Sequence, residues 1–327
     1  MIITQTPFRV SFFGGGTDYP EYFETHGGAV LGTAIDKFAY FSMSKFLSSL
    51  FDYNIRIAYK QIECVNNINE IKHSPFRECL KKRGITKDVE INYCAEMPSF
   101  SGLGTSSTFT VGLLNTLSAF NYTTQKPLDL AYEAIDMERN VLGEAVGCQD
   151  QVFAAVGGFN VVEFKTTNDI IINKVIMKPD RIKEFEDCLF LIFTRQFRQA
   201  ASIAKKQIAK IDGNKDRLKQ IHQMVYEGYD ILTGNSGFEE FGVLLDQMWK
   251  LKSELDENIS TGEISALYAK GLDAGALGGK LLGAGGGGFI LFFVPPERKK
   301  QFLMEMAGFE IVPIKTNVDG SKVIHVS

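Results

Sequence analysis

Residues 97–115 read MPSFSGLGTSSTFTVGLLN. The stretch opens on Pro98, crosses Gly102 and Gly104, and passes through Thr105, Ser106, Ser107 and Thr108 into a run with helical character. Glycine permits a tight turn and a close approach of backbone to a ligand. The hydroxyl residues stand where helix N-caps belong, and the first turn of a helix presents unpaired N–H groups at the positive end of its dipole. Two readings fit this stretch by itself: an anion site suited to nucleotide phosphates, or a plain glycine turn closed by a Ser/Thr cap. The rest of the chain decides between them.

A length of 327 residues favours two lobes. An apolar fraction of 45% and a charged fraction of 23% are those of an ordinary globular protein. The net charge of −4 supplies no field that would draw nucleic acid or an anionic membrane, so neither is expected as a partner. An anionic ligand must therefore be held by local groups. Cys64, Cys79, Cys94, Cys148 and Cys188 are scattered and form no CxxC, the pattern of reduced thiols in a cytoplasm. His26, His73, His222 and His325 form no metal-binding pair. The N-terminal MIITQTPFRVSFFGG has neither the basic n-region nor the long apolar stretch of a signal peptide, and the apolar run 289–294 is too short to span a bilayer. The expected location is cytoplasmic.

Along the chain, residues 2–13 read as a strand ending in Gly14-Gly15-Gly16-Thr17-Asp18. The segments 38–46, 51–59 and 89–95 show period-two alternation, and 75–83 reads as a helix. Helical patterns then cover 107–120 and 128–142, followed after Asp150 by a shorter piece ending at Gly157-Gly158 and a strand at 159–164. Residues 188–194 read as a buried strand, and 200–211, 217–232, 238–255 and 260–274 as successive helices. A glycine cluster, a helix near 297–306 and a final strand pair close the chain. The shift from strands to helices and back predicts an α+β architecture in two lobes, 1–180 and 181–327, divided at the Lys178-Pro179-Asp180 turn.

Gly283, Gly285 and Gly288 satisfy GxGxxG, but a dinucleotide fingerprint follows a strand and opens a helix, and here the order is reversed. The cluster instead lets backbone approach either a ligand or the neighbouring lobe. No GxxxxGK[ST] occurs, which excludes a Walker-type site. Glu138 lies near the apolar face of the 128–142 pattern, and a buried carboxylate there needs a partner or a cation; the alternative is a surface glutamate at the edge of the stripe. Asp150, in GCQDQVFAAVGG, suits a base that orients or deprotonates a hydroxyl, or else caps a turn. Arg9, on the opening strand, wants an anion: Asp150, a phosphate, or both. Asp18 suits acceptance of substrate hydroxyls, or an ion pair closing a loop.

Taken in order, PFRVSFFGGGTDY (7–19), PSFSGLGTSS (98–107) and KLLGAGGGGF (280–289) resemble the three motifs of the GHMP kinases, the family of galactokinase, homoserine kinase and mevalonate kinase. The resemblance spans nearly the whole chain. It implies two lobes, the N-terminal one like ribosomal protein S5 and the C-terminal one ferredoxin-like, with the active site in the cleft between them. It further implies that Pro98, Ser101, Gly102, Leu103, Gly104, Thr105, Ser106 and Ser107 form the ATP-phosphate loop. Ser106 and Glu138 would hold Mg²⁺, and Asp150 and Arg9 would be catalytic. Asp18, Gly15, Gly16, Arg198, Lys280, Gly285 and Gly286 would serve the substrate.

Where galactokinases carry a Glu-His pair this chain has Gly15-Gly16, which speaks against galactose as the acceptor. RVSFFGGGTDYPEYF (9–23) and AGALGGKLLGAGGGGF (274–289) are most similar to the branch acting on heptose 7-phosphate. That similarity implies phosphorylation of an anomeric hydroxyl on the way to nucleotide-activated heptose, by a monomer or homodimer. A phosphorylated acceptor asks for extra cations, for which Arg195, Arg198 and Lys280 are the candidates. A fucose- or galactose-type kinase, or a non-catalytic binder of nucleotide or sugar, are the alternatives.

Overall fold

The structure is a computed structural model and describes residues 1–196 and 200–327. The chain opens with β1 (Ile2–Phe13), α1 (Pro20–His26), β2 (Gly28–Lys45), β3 (Ile55–Ala58), β4 (Ile62–Val65), α2 (Ser74–Lys82) and β5 (Val89–Ala95). It continues through α3 (Thr105–Phe120), α4 (Pro127–Asp136), α5 (Gln149–Val156), β6 (Phe159–Thr166), β7 (Asp169–Lys174), α6 (Pro179–Glu186) and β8 (Leu189–Phe193). The last part holds α7 (Ala200–Ala209), α8 (Lys215–Thr233), α9 (Glu239–Ser253), α10 (Gly262–Asp273), β9 (Gly278–Leu281), β10 (Phe289–Phe293), α11 (Lys299–Glu305), β11 (Ile311–Val312) and β12 (Lys322–Val326).

β1 alternates between buried and half-buried only over its first residues; from Thr6 onward every residue is buried. That explains its weak period-two signal, because a strand covered on both faces has no polar side to show. β2 runs as a single strand of 18 residues. One edge pairs with β1, while the other pairs first with β6 and then with β5. The sheet order is β12-β1-β2-β5-β3-β4, with β6 and β7 branching from β2. The second sheet, β11-β8-β10-β9, is antiparallel throughout.

Two sequence expectations need correction. Lys178-Pro179 is the start of α6 rather than a turn between lobes, with proline at the first helical position, where its missing N–H costs nothing. The closing strands are also not a pair. β11 joins β8 in the second sheet, whereas β12 returns to pair with β1 in the first. The expected unit 181–327 therefore loses its last strand to the N-terminal sheet.

One hydrophobic cluster lies between the first sheet and α2–α5, with Phe41, Phe76, Leu113 and Phe153 at its centre. The other joins Phe8, Val10, Phe12 and Phe13 of β1 to the second sheet and to α8, α9 and α10. Phe12 is its hinge point, with ring centroids 5.5 Å from Phe159, 5.6 Å from Phe185 and 5.4 Å from Phe241. β2 is shared by both cores, with Leu31 and Ile35 in this one and Val30, Phe41 and Met43 in the other. Among the described residues no helix is long and apolar enough to cross a membrane.

Candidate active site

The loop from β5 into α3 turns through residues with positive φ at Phe100, Gly102 and Gly104. Gly104, in the left-handed region, is itself the N-cap of α3, and no side chain caps the helix. The expected Ser/Thr cap is thus absent: Thr105, Ser106, Ser107 and Thr108 all lie inside the first turn. An uncapped helix of 16 residues leaves first-turn N–H groups open to an anion, so the loop keeps the feature that a plain capped turn would have consumed. Pro98 and Ser106 are exposed, while Ser101, Leu103 and Ser107 are buried.

The third glycine run does not float beside this loop; it interlocks with it. A Cβ on Gly102 would collide with the carbonyl of Leu282, one on Gly283 would lie 2.8 Å from the Cα of Gly102, and one on Gly288 would strike the carbonyl of Ser101. Phe289 N–H donates to Ser101 O at 3.0 Å. Gly286 N–H donates to Ile259 O at 3.0 Å, and Gly285 packs against the Cα of Ile259. Of the two roles left open for this cluster, close approach to the first loop accounts for Gly283 and Gly288, while Gly285 packs against Ile259 within its own part of the chain.

Beneath the loop lies Arg9, with 4% of its surface exposed. Its Nε and Nη2 donate to Asp150 Oδ1 and Oδ2, each at 2.7 Å, and Nη1 donates to Gly102 O at 2.6 Å. This bidentate arrangement fixes the carboxylate in plane and orientation. Asp150 sits in the first turn of α5, not in a loop, and its side chain keeps 26% exposure. A Cβ on Gly104 would lie 3.4 Å from Asp150 Oδ2 and 3.1 Å from Arg9 Cγ, so the cap of α3 rests directly on the pair.

Glu138 is fully buried. The helical pattern 128–142 divides here: α4 ends at Asp136 and the turn Met137–Val141 is π-helical. Such a turn inserts a residue into the helical register and often marks a functional position. Ser107 Oγ donates to Glu138 Oε2 at 2.8 Å, and Gln151 Nε2 donates to the same oxygen. The other oxygen, Oε1, has no hydrogen-bond partner. Burial pushes the carboxyl up to about 7, against the pull of the Thr110, Ser107 and Gln151 side chains. Among the described residues no three His, Cys, Asp or Glu side chains gather as a metal cage. A single buried carboxylate with one open oxygen fits a hard cation that takes its remaining ligands from hydroxyl and phosphate oxygens.

Asp18 is buried at the rim of this group, 2% exposed. Its Oδ1 accepts from Gly16 N–H at 3.1 Å and its Oδ2 from Gln149 N–H at 3.3 Å. Burial and the nearby Asp150 charge raise its carboxyl above the ordinary value. Gly15 opens towards Ser11 and Gln149, and Gly16 towards Leu218 and Leu255.

Lys280 does not offer its charge to a ligand. Its side chain is buried, and Nζ donates to the carbonyls of Ser11 at 2.7 Å and Phe12 at 2.8 Å. The ammonium ties β9 to β1, which corrects its expected role as a substrate-phosphate cation. Arg198 lies outside the described residues. Arg195 is exposed, at φ 59°.

One charged neighbour escaped the sequence reading. Lys252 is 5% exposed, and its Nζ donates to Gly283 O at 2.5 Å. Burial and the Arg9 charge lower its ammonium to about 8, against the opposing pull of Asp18 and Asp150. The signal was present: Phe241, Leu245, Met248 and Lys252 follow helical spacing along the buried stripe of α9.

Residues 69–158 match the family model described as GHMP kinases N terminal domain, and residues 232–308 the model described as GHMP kinases C terminal. The D-glycero-alpha-D-manno-heptose 7-phosphate kinase of Campylobacter jejuni is 30% identical over 87% of this chain and 86% of its own length. The mevalonate kinase of Methanocaldococcus jannaschii is 26% identical over 93% of this chain and 96% of its own. The crystal structure of a D-glycero-D-manno-heptose 1-phosphate kinase from Bacteroides thetaiotaomicron superposes with a TM-score of 0.82, covering 100% of both chains at 24% identity, and so agrees in fold.

Proposed function

Since the chain belongs to the GHMP kinase family, we propose that it transfers the γ-phosphoryl group of ATP to the anomeric hydroxyl of D-glycero-D-manno-heptose 7-phosphate, giving the 1,7-bisphosphate. The observation that carries this reading is the Arg9–Asp150 pair seated directly under the uncapped start of α3. A carboxylate held bidentately by a buried guanidinium is held in one orientation, while its remaining exposure leaves it accessible to a hydroxyl.

In this reading the anomeric O–H gives its proton to Asp150 as its oxygen bonds to the γ-phosphorus, and the bond from that phosphorus to the bridging oxygen of ADP breaks. Arg9 steadies the charge on the transferring group. The N–H groups at the start of α3, with Gly102, Gly104 and Thr105, cradle the phosphates. Such transfer depends mainly on positioning and electrostatics. Glu138 Oε1 and the Ser106 hydroxyl would hold Mg²⁺, which when bound neutralises phosphate charge. The same reading assigns the chain to the cytoplasm, where ATP is at hand and its unpaired cysteines remain thiols.

A neutral sugar is the second reading, and it is favoured by the engagement of Lys280 with backbone carbonyls. ADP release measured with heptose 7-phosphate, free heptose, fucose and galactose separates the two, with phosphorus NMR locating the new ester. The phosphorylated heptose should give the highest kcat/KM; equal rates on free heptose would overturn the choice of substrate. Tight Mg·ATP binding with no transfer to any sugar would support a non-catalytic binder. Asp150→Asn should lower kcat by about 10²–10⁴-fold with little change in ATP affinity. Turnover within a few-fold of wild type would remove Asp150 from its assigned role.

A further inference from the structure

We propose that Gln151 is the positioning residue of the cation site: its amide N–H holds one oxygen of Glu138 so that the other faces the metal, and its own carbonyl oxygen accepts from a water in the metal's shell. The inference rests on the reading of Glu138 as a Mg²⁺ ligand and extends it to a side chain that the resemblance left without a role.

Gln151 and Glu138 are both fully buried. Gln151 Nε2 donates to Glu138 Oε2, the same oxygen that takes the Ser107 hydroxyl at 2.8 Å. An amide beside a carboxylate turns its NH₂ to it, because its oxygen would be repelled. That choice sends Gln151 Oε1 to the other side of the amide, where it has no hydrogen-bond partner. Glu138 Oε1 has none either. Two side chains joined by a hydrogen bond thus each leave one buried acceptor open. A buried acceptor left open destabilises the protein that carries it, so two on joined side chains point to a partner that completes both.

The chemistry of the atoms selects that partner. It must bring positive charge or donors, and an anion would meet only lone pairs. A hard divalent cation binds a carboxylate oxygen directly and keeps several of its waters. A water polarised by the metal is a strong donor, and an amide oxygen is a neutral acceptor for it. Because the amide adds no second negative charge, the metal keeps its attraction for phosphate oxygens. Gln151 also follows Asp150 in the first turn of α5. Consecutive helical residues point about 100° apart, so one turn presents Asp150 to Arg9 and Gln151 to Glu138. A single rigid element therefore sets Asp150 and Glu138 relative to each other.

The test reads Mn²⁺ binding to the full chain by electron paramagnetic resonance, alone and with ADP, in wild type, Gln151→Met and Gln151→Glu. Gln151→Met keeps the length of the side chain without its donor and acceptor. Its Mn²⁺ affinity in the presence of ADP should fall about tenfold to a hundredfold. Gln151→Glu sets a second carboxylate against Glu138. Its thermal midpoint without metal should fall below that of wild type, and added Mn²⁺ should raise it by more than it raises wild type. A residue that merely fills space would shift the midpoints and leave Mn²⁺ affinity alone. Affinity within about twofold of wild type in Gln151→Met would mean that ordinary buried water completes both oxygens, and would overturn the inference. So would a Gln151→Glu midpoint that Mn²⁺ raises no further than that of wild type, which decides the matter alone if Gln151→Met does not fold. If wild type transfers phosphate to no sugar, the kinase reading fails separately, and Mn²⁺ binding still judges Gln151. A wild type that binds no Mn²⁺ with ADP overturns the inference.

Discussion

Lys252 shows how much one buried charge can decide at this site. Its ammonium sits among Arg9, Asp18 and Asp150 and holds the carbonyl of Gly283, so it bridges the charge cluster and the glycine loop that packs against Gly102. Its folded pKa of about 8 lies below the ordinary 10.5. The unfolded chain therefore holds a proton that the folded chain has released across that window, and the contribution of this group to stability rises as pH climbs from about 8 to 10.5. Lys252→Met should abolish that part of the rise, read as the difference in pH dependence of denaturant midpoints between the two proteins. Parallel curves would show that Lys252 is not the titrating group. The residue was open to detection from its position on an apolar stripe, yet its partner was not, since Gly283 approaches it only through the fold. Glu138 follows the same logic. Its closeness to an apolar face was readable, whereas the π-helical turn that buries it was not, because periodicity averages over an inserted residue.

At the scale of elements, the two glycine loops act as one part. Gly283 combines a φ of 75° with a backbone neighbour where its Cβ would stand. Gly84 has a comparable φ of 66° but open space around it. Alanine at either position bears the conformational cost, about 1–3 kcal/mol. Only Gly283→Ala also pushes against Gly102. The expected result is a similar fall in melting temperature from strain in both variants, with a further fall and a roughly tenfold higher ATP KM in Gly283→Ala alone. Equal ATP kinetics in the two variants would show that the interlock does not shape the nucleotide site. The sequence carried both glycine motifs plainly. Their contact was not legible, because it joins segments far apart in the chain that are brought together where Phe289, at the start of β10, donates its N–H to Ser101 O.

For the whole molecule, β1 is a central member: it carries Arg9, gives Phe8, Val10, Phe12 and Phe13 to one hydrophobic core, and is covered at its outer edge by β12. Removing residues 322–327 would expose the backbone donors and acceptors of that edge. Such a truncation should lower the melting temperature and promote association in size-exclusion chromatography. A truncated chain that melts and elutes like the full one would show that the returning strand is dispensable. An end-to-end return of this kind leaves no periodic trace. Lys322–Val326 reads as a strand whichever sheet it joins.

What the sequence determined by itself was the inventory: a strand-rich first part, helices after it, two glycine loops, and the presence of Glu138, Asp150 and Arg9. Local preferences and motif spacing are enough for these, because each depends on neighbours within a few residues. The tertiary structure alone decided how they meet. It set Arg9 against both carboxylate oxygens of Asp150 under Gly104, turned Lys280 from a ligand for phosphate into a tie between strands, and gave β12 to the first sheet. The physical reason is that a buried charge or a backbone edge is satisfied by whatever packing brings within a few ångströms, and distance along the chain does not encode that.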